Sequence, residues 1–127
     1  MAERIRTVGS KFGWLVYEVD GEVAGYCYAT PWRVRSAYRF SVETTVYVAP
    51  KFHRQGIARK LYAALIAALG DAGVRVLLAG IALPNEASVL LHEQLGFEKV
   101  AHLKQVGRKF DRWVDVGYWE MILQPRE

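Results

Sequence analysis

A mixed α/β domain is predicted for this chain, and three features of the sequence predict it. Two alternating apolar runs meet at Asp20-Gly21, the signature of an antiparallel hairpin. One stretch, Ala58 to Leu69, carries its apolar residues at helical spacing. That stretch connects two β-rich runs, so the strands it joins are parallel. The whole order is β-β-loop-β-α-β-α-β-β with one parallel crossover.

The elements follow along the chain. Trp14 to Val19 alternates, turns at Asp20-Gly21, and resumes as Val23 to Ala29, giving two antiparallel strands. Trp32 to Arg39 is polar and basic, follows Pro31, and reads as a loop. Val42 to Val48 is rich in Val, Thr and Tyr and is closed by Pro50, which makes a third strand. Ala58, Leu61, Tyr62, Leu65, Ile66 and Leu69 form one helix face, with Gly70 or Gly73 as the stop. Val74 to Leu83 holds an apolar run too short and too β-branched for a helix, so it reads as a buried strand. Pro84-Asn85 opens a second helix, with Asn85 as N-cap, Ala87, Leu90, Leu91 and Leu95 toward the core, and Gly96 as the stop. Phe97 to Val106 and Trp113 to Leu123 form the last two strands, joined by a polar segment at 107–112.

A length of 127 residues fits one domain, and 52% hydrophobic with 13% aromatic residues excludes a disordered chain. The single cysteine, Cys27, has no internal disulfide partner. No run approaches the ~18 apolar residues of a membrane span, and Met1 to Lys11 lacks the apolar core of a signal peptide, so a cytoplasmic location and no membrane partner are expected. A net charge of +4 leaves nucleic acid, an anionic membrane or an anionic small molecule as partners. The aromatic residues fall mostly on strand patterns, no helix carries a continuous basic face, and no RNA-recognition signature appears, so nucleic acid is not the expected partner. His53, His92 and His102 lack the spacing of a zinc site, and no metal is expected.

The sharpest element is the run Val46-Tyr47-Val48-Ala49-Pro50-Lys51-Phe52-His53-Arg54-Gln55-Gly56-Ile57-Ala58-Arg59. A strand ends, a turn follows, and a helix begins at a glycine flanked by cations. Such a helix start offers unpaired N–H groups and the positive end of the helix dipole, which suits a phosphate or pyrophosphate. Taken locally, an ordinary strand-to-helix turn with a basic rim fits the same residues. Similarly, Asn85 reads locally as a plain N-cap and His92 as a packed helix residue.

The loop resembles the acetyl-CoA loop of the GNAT acetyltransferases, Gln/Arg-x-x-Gly-x-Gly/Ala, which falls here on His53, Gly56 and Ala58, with His53 in place of the usual Gln or Arg. Further blocks resemble the phosphinothricin and methionine-sulfoximine acetyltransferase branch: Gly21 to Tyr26, Pro31 to Arg39, Val42 to Val48, Leu83 to Ser88, Leu91 to Phe97 and Trp113 to Trp119. The resemblance implies a mostly antiparallel central sheet with helices packed on it. It also implies an enzyme that moves acetyl from acetyl-CoA to the amino group of a small amino-acid-like acceptor. A protein amino terminus is the alternative acceptor. Carried over by position, the resemblance implies that the backbone from His53 and Arg54 through Gln55, Gly56, Ile57, Ala58 and Arg59 holds the pyrophosphate. Val46, Tyr47 and Val48 would pair with the pantetheine arm, which Asn85 would hydrogen-bond. Glu43 would be the general base, because the amine nucleophile is mostly protonated near neutral pH. His92 would protonate the departing thiolate, and Arg35 and Tyr38 would contact the acceptor.

Members of this family usually open with a strand and two helices ahead of the hairpin, and this chain is expected to be short there. A homodimer is therefore expected, pairing through an open edge at Trp14 to Val19 or Trp113 to Leu123, with weak turnover unless the partner rebuilds the acceptor wall.

Overall fold

The computed structural model describes residues 2–9, 14–32 and 38–123. Among the described residues seven strands form one sheet: β1 (Glu3–Val8), β2 (Trp14–Val19), β3 (Glu22–Pro31), β4 (Ser41–Val48), β5 (Val76–Leu83), β6 (Glu98–Lys109) and β7 (Arg112–Ile122). Two helices, α1 (Ile57–Asp71) and α2 (Glu86–Gln94), follow β4 and β5. The spatial order is β1-β2-β3-β4-β5-β7-β6, antiparallel throughout except for β4 against β5. The mixed, mostly antiparallel sheet and the single crossover agree with the reading of the sequence.

β1 is the element that reading did not contain. Every residue of Glu3–Val8 is exposed, so the strand carries no burial pattern to read. Backbone pairing holds it to β2, and charged side chains reinforce the pair. Arg4 Nε and Arg6 Nε donate to the two oxygens of Glu18 at 2.7 and 2.6 Å, and the Tyr17 hydroxyl donates to Glu3 at 2.6 Å. Trp14 to Val19 is therefore interior, and so is β7, which lies between β5 and β6. The two segments expected to be open edges are not edges.

The core forms where α1 lies on the sheet. Of the face the spacing predicts, Leu61, Tyr62, Leu65 and Leu69 are buried and Ala58 and Ile66 half-buried, and Ile57 joins them against Leu15, Tyr17, Cys27, Ala29, Val42 and Leu77. Each large apolar side chain so buried contributes about 1.5–3 kcal/mol. Gly70 stays inside the helix, and Gly73 is the stop: its φ of +87° lets Val74 N–H reach the Leu69 carbonyl at 2.9 Å. In α2 the core-facing set agrees with the expected one at Leu91 and Leu95 and differs at its other two positions. Ala87 and Leu90 are exposed, whereas Val89, Leu91 and Leu95 pack inward and His92 is buried. A histidine whose polar atoms are satisfied takes a core position beside Leu91 and Leu95, and Leu90 is left outside. The expected polar connection at 107–112 is a two-residue turn, with Phe110 and Asp111 both at positive φ.

The hydrogen bonds from Arg6 and then Arg4 hold the Glu18 carboxyl below its ordinary value of 4.5. A lowered folded-state value stabilises the fold above pH 4.5, and that contribution is lost as pH falls toward the lower value. Glu18→Gln is expected to lower the melting temperature at neutral pH and to flatten the acid loss that wild type shows below that point. Parallel melting curves against pH for the two proteins would contradict this account of β1.

Candidate functional site

The parallel ladder between β4 and β5 is short. It contains Ser41↔Val76, Val42↔Leu77 and Glu43↔Leu78, and then stops. β4 continues to Val48 paired with β3 alone, while β5 continues to Leu83 paired with β7 alone. From Thr44 to Val48 one edge of β4 therefore faces a gap inside the sheet, its backbone donors and acceptors unpaired by any strand. Val46 and Val48 pack against the core from this stretch, and Tyr47 is exposed on the opposite face.

The loop after β4 closes one end of this fork. A short 3-10 turn, Pro50–Phe52, buries Phe52, and His53 Nε2–H donates to the Val48 carbonyl at 2.8 Å. The His53 ring thus staples the loop to the strand. Arg54 (φ 65°) and Gly56 (φ 75°) both adopt the left-handed conformation before α1 begins. Gly56 provides no side-chain cap, and the first helical bond runs from Lys60 N–H to the Gly56 carbonyl at 3.1 Å. The amides of Ile57, Ala58 and Arg59 have no intrahelical acceptor. Buried Ile57 anchors this end, while Arg54, Gln55, Gly56 and Arg59 lie exposed around it. The Arg59 guanidinium donates to the Gln94 side chain and so ties α1 to α2. β4 and β5 run in parallel, so α2 starts at the same end of the fork. There Asn85, which is exposed, accepts from Ser88 N–H through Oδ1 at 3.1 Å, as the N-cap reading expects.

Successive residues of β4 face opposite sides of the sheet. Thr44 faces the helices and Glu43 faces away from them. Glu43 is half-buried at the crotch of the fork, the last residue of the ladder. Gly80 makes room for it: a Cβ there would lie 3.3 Å from Glu43 Oε2 and 3.1 Å from the Tyr118 ring. Burial first, and the charge of Glu43 second, push the Tyr118 hydroxyl above its ordinary ionisation range. Trp32 meets Tyr118 edge-on at 5.6 Å. Beyond Glu43 on the same face, Trp14, Tyr28, Tyr26 and Tyr47 form a contiguous aromatic row, with centroids 4.2 to 6.3 Å apart. Tyr38 is exposed, and Arg35 lies outside the described residues.

His92 sits on the helix side, 3% exposed. Its Nδ1 is 2.7 Å from the Ser88 carbonyl and its Nε2 is 2.7 Å from the Tyr62 hydroxyl. Burial holds the ring below its ordinary value and favours the neutral form. Both nitrogens are engaged within the protein, which favours the packed reading of this residue over the proton-carrying one. Tyr118, Gly80 and Thr44 enter the site through strand register, Trp32 from just beyond the end of β3, and Tyr62 through the docking of α1. Their positions in the sequence assign none of them a role in the site.

An extended slot with a free strand edge, ending at an uncapped helix start beside cations, is a site for an elongated ligand with amides and phosphates. Comparison with known proteins identifies the class. Residues 1–117 match the acetyltransferase (GNAT) domain, and the chain belongs to that family. It is 44% identical over 110 residues to a phosphinothricin N-acetyltransferase of Streptomyces viridochromogenes, covering 87% of this chain and 60% of that protein. It is 41% identical over 109 residues to an L-methionine sulfoximine/L-methionine sulfone acetyltransferase of Salmonella typhimurium, covering 86% and 64%. A GNAT superfamily phosphinothricin acetyltransferase from Sinorhizobium meliloti, solved in complex with acetyl-CoA, superposes with a TM-score of 0.83 at 35% identity, covering 87% of this chain and 60% of that one. The chain thus spans somewhat less than two thirds of the length of these relatives.

If Glu43 and Tyr118 share the crotch of the fork, removing the charge changes the tyrosine. Glu43→Gln is expected to lower the Tyr118 titration midpoint toward that of an ordinary tyrosine, followed by NMR of the tyrosine ring carbons. An unmoved midpoint would separate the two groups.

Proposed function

We propose that this chain binds acetyl-CoA in the fork between β4 and β5 and transfers the acetyl group to the amine of a small amino-acid-like acceptor of the phosphinothricin or methionine sulfoximine type. The observation that carries the reading is the position of Glu43, at the point where the ladder ends and the free edge of β4 begins. That edge, from Thr44 to Val48, suits the amides of a pantetheine arm by strand addition. The uncapped amides of Ile57, Ala58 and Arg59, with the left-handed turn at Arg54 and Gly56 and the exposed Arg54 beside them, suit the pyrophosphate. Asn85 donates its side-chain N–H to the arm while its Oδ1 still caps α2.

In this reading the acceptor lies on the face that carries Glu43 and Tyr118. Glu43 takes a proton from the acceptor's ammonium group, directly or through one water, and the freed amine attacks the thioester carbonyl carbon. A backbone N–H of β4 at Tyr47 or Val48 hydrogen-bonds the carbonyl oxygen as negative charge gathers on it. The nitrogen then gives up its second proton to solvent and the carbon–sulfur bond breaks, so that the amide remains on the acceptor and the thiolate leaves and takes a proton from solvent. Arg35 and Tyr38 are assigned to the acceptor's anionic group, since a guanidinium pairs bidentately with a carboxylate or phosphinate.

Replacing Glu43 with Gln keeps the shape and removes the base. Turnover is expected to fall ~100-fold or more while acetyl-CoA affinity holds, and the deficit is expected to shrink at high pH, where the amine loses its proton unaided. Wild-type turnover by Glu43→Gln at neutral pH would overturn the assignment. An acetyl-CoA consumption assay across phosphinothricin, methionine sulfoximine, methionine sulfone and an amino-terminal peptide tests the acceptor class. Preference for the peptide would move the acceptor to a protein.

A homodimer forms part of the proposal. β6 is an outer strand, and its hairpin with β7 exposes Leu103, Val106, Phe110 and Trp113. Light scattering is expected to give twice the monomer mass, and Trp113→Lys to shift the protein toward monomer. A wild-type monomer at micromolar concentration would exclude the pairing.

A further inference from the structure

Thr44 is the first residue of β4 beyond the parallel ladder, and its side chain is buried on the helix side. Its hydroxyl lies 2.9 Å from the Tyr62 hydroxyl on α1, which lies 2.7 Å from His92 Nε2 on α2. A carbonyl only accepts, so the Ser88 carbonyl, 2.7 Å away, assigns the proton to His92 Nδ1. In the neutral ring Nε2 then accepts from Tyr62, and Tyr62 accepts from Thr44. The chain therefore runs in one direction, from the fork through α1 into the first turns of α2. Phe97 meets both rings edge-on, at 5.7 Å from Tyr62 and 5.1 Å from His92.

This line joins two elements that the sheet leaves apart. α1 continues from β4 and α2 from β5, and beyond Glu43 and Leu78 no ladder connects the two strands. The Arg59–Gln94 contact bridges the same helices, but between exposed side chains, where water competes for each partner. Buried hydrogen bonds are stronger and leave a costly unpaired group when one is removed. Thr44 also faces away from Glu43, so the chain does not lead to the acceptor's face.

We propose that Thr44, Tyr62 and His92 form a positioning strut that fixes the width of the fork and thereby the fit of acetyl-CoA. The strut rests on the reading that acetyl-CoA occupies the fork. It gives His92 and Tyr62 a positioning role in place of proton transfer.

Thr44→Val keeps the shape and removes the hydroxyl, Thr44→Ser keeps the hydroxyl, and Tyr62→Phe removes the central link. Each is titrated calorimetrically with acetyl-CoA, well below its own melting temperature. Thr44→Val and Tyr62→Phe are expected to raise the acetyl-CoA Kd roughly tenfold. Thr44→Ser is expected to remain within about twofold of wild type. A purely structural role would lower the melting temperature without moving Kd, and folded Thr44→Val with wild-type affinity would overturn the strut. If Tyr62→Phe does not fold, the Thr44 pair decides. Wild type that fails to bind acetyl-CoA would overturn the reading of the fork, and the strut with it.

Discussion

Beyond Glu43 and Leu78 the strands β4 and β5 share no ladder, although each continues for several residues. A strand edge opened inside a sheet leaves backbone donors and acceptors that must find water or a ligand. The rest of the architecture holds that opening in place. β3 supports β4 along its whole length and β7 supports β5, so each prong is rigid from its outer side. Because the prongs are parallel, both chains leave the sheet at one end and both start helices there, with orphan N–H groups nearby.

The two faces of the sheet divide the work. On the helix side, α1 buries five side chains against the sheet, and α2 docks through His92 to Tyr62 and through Glu93, which accepts from Trp119 Nε1 at 3.0 Å. On the other side lie Glu43, Tyr118, Trp32 and the aromatic row from Trp14 to Tyr47. Strand alternation alone separates Glu43 from Thr44. One side chain reaches the face proposed for the acceptor, while the next ties the fork to both helices.

What could be read from the sequence follows which features write a periodic or local signal. α1 was legible because its buried residues recur at helical spacing, and the loop at His53 to Arg59 was legible because a glycine and its cations are adjacent in the chain. β1 was not, since a strand held by backbone pairing and by Arg4, Arg6 and Glu18 buries nothing of its own. The Phe110-Asp111 turn lacks the Asn-Gly signature that normally marks such geometry. Within the site, Tyr118 and Gly80 meet Glu43 only through the register of β5 against β7, and Tyr62 meets Thr44 only through the docking of α1. Register and docking are properties of the assembled sheet.

Amide hydrogen exchange with and without acetyl-CoA tests the fork most directly, because it reads the backbone groups that the parted strands leave unpaired. Slowed exchange is expected at 44–48 of β4 and at 55–59 around the start of α1, with β1 and the β6–β7 hairpin unchanged. Protection absent from both segments, or confined to another part of the sheet, would contradict the account.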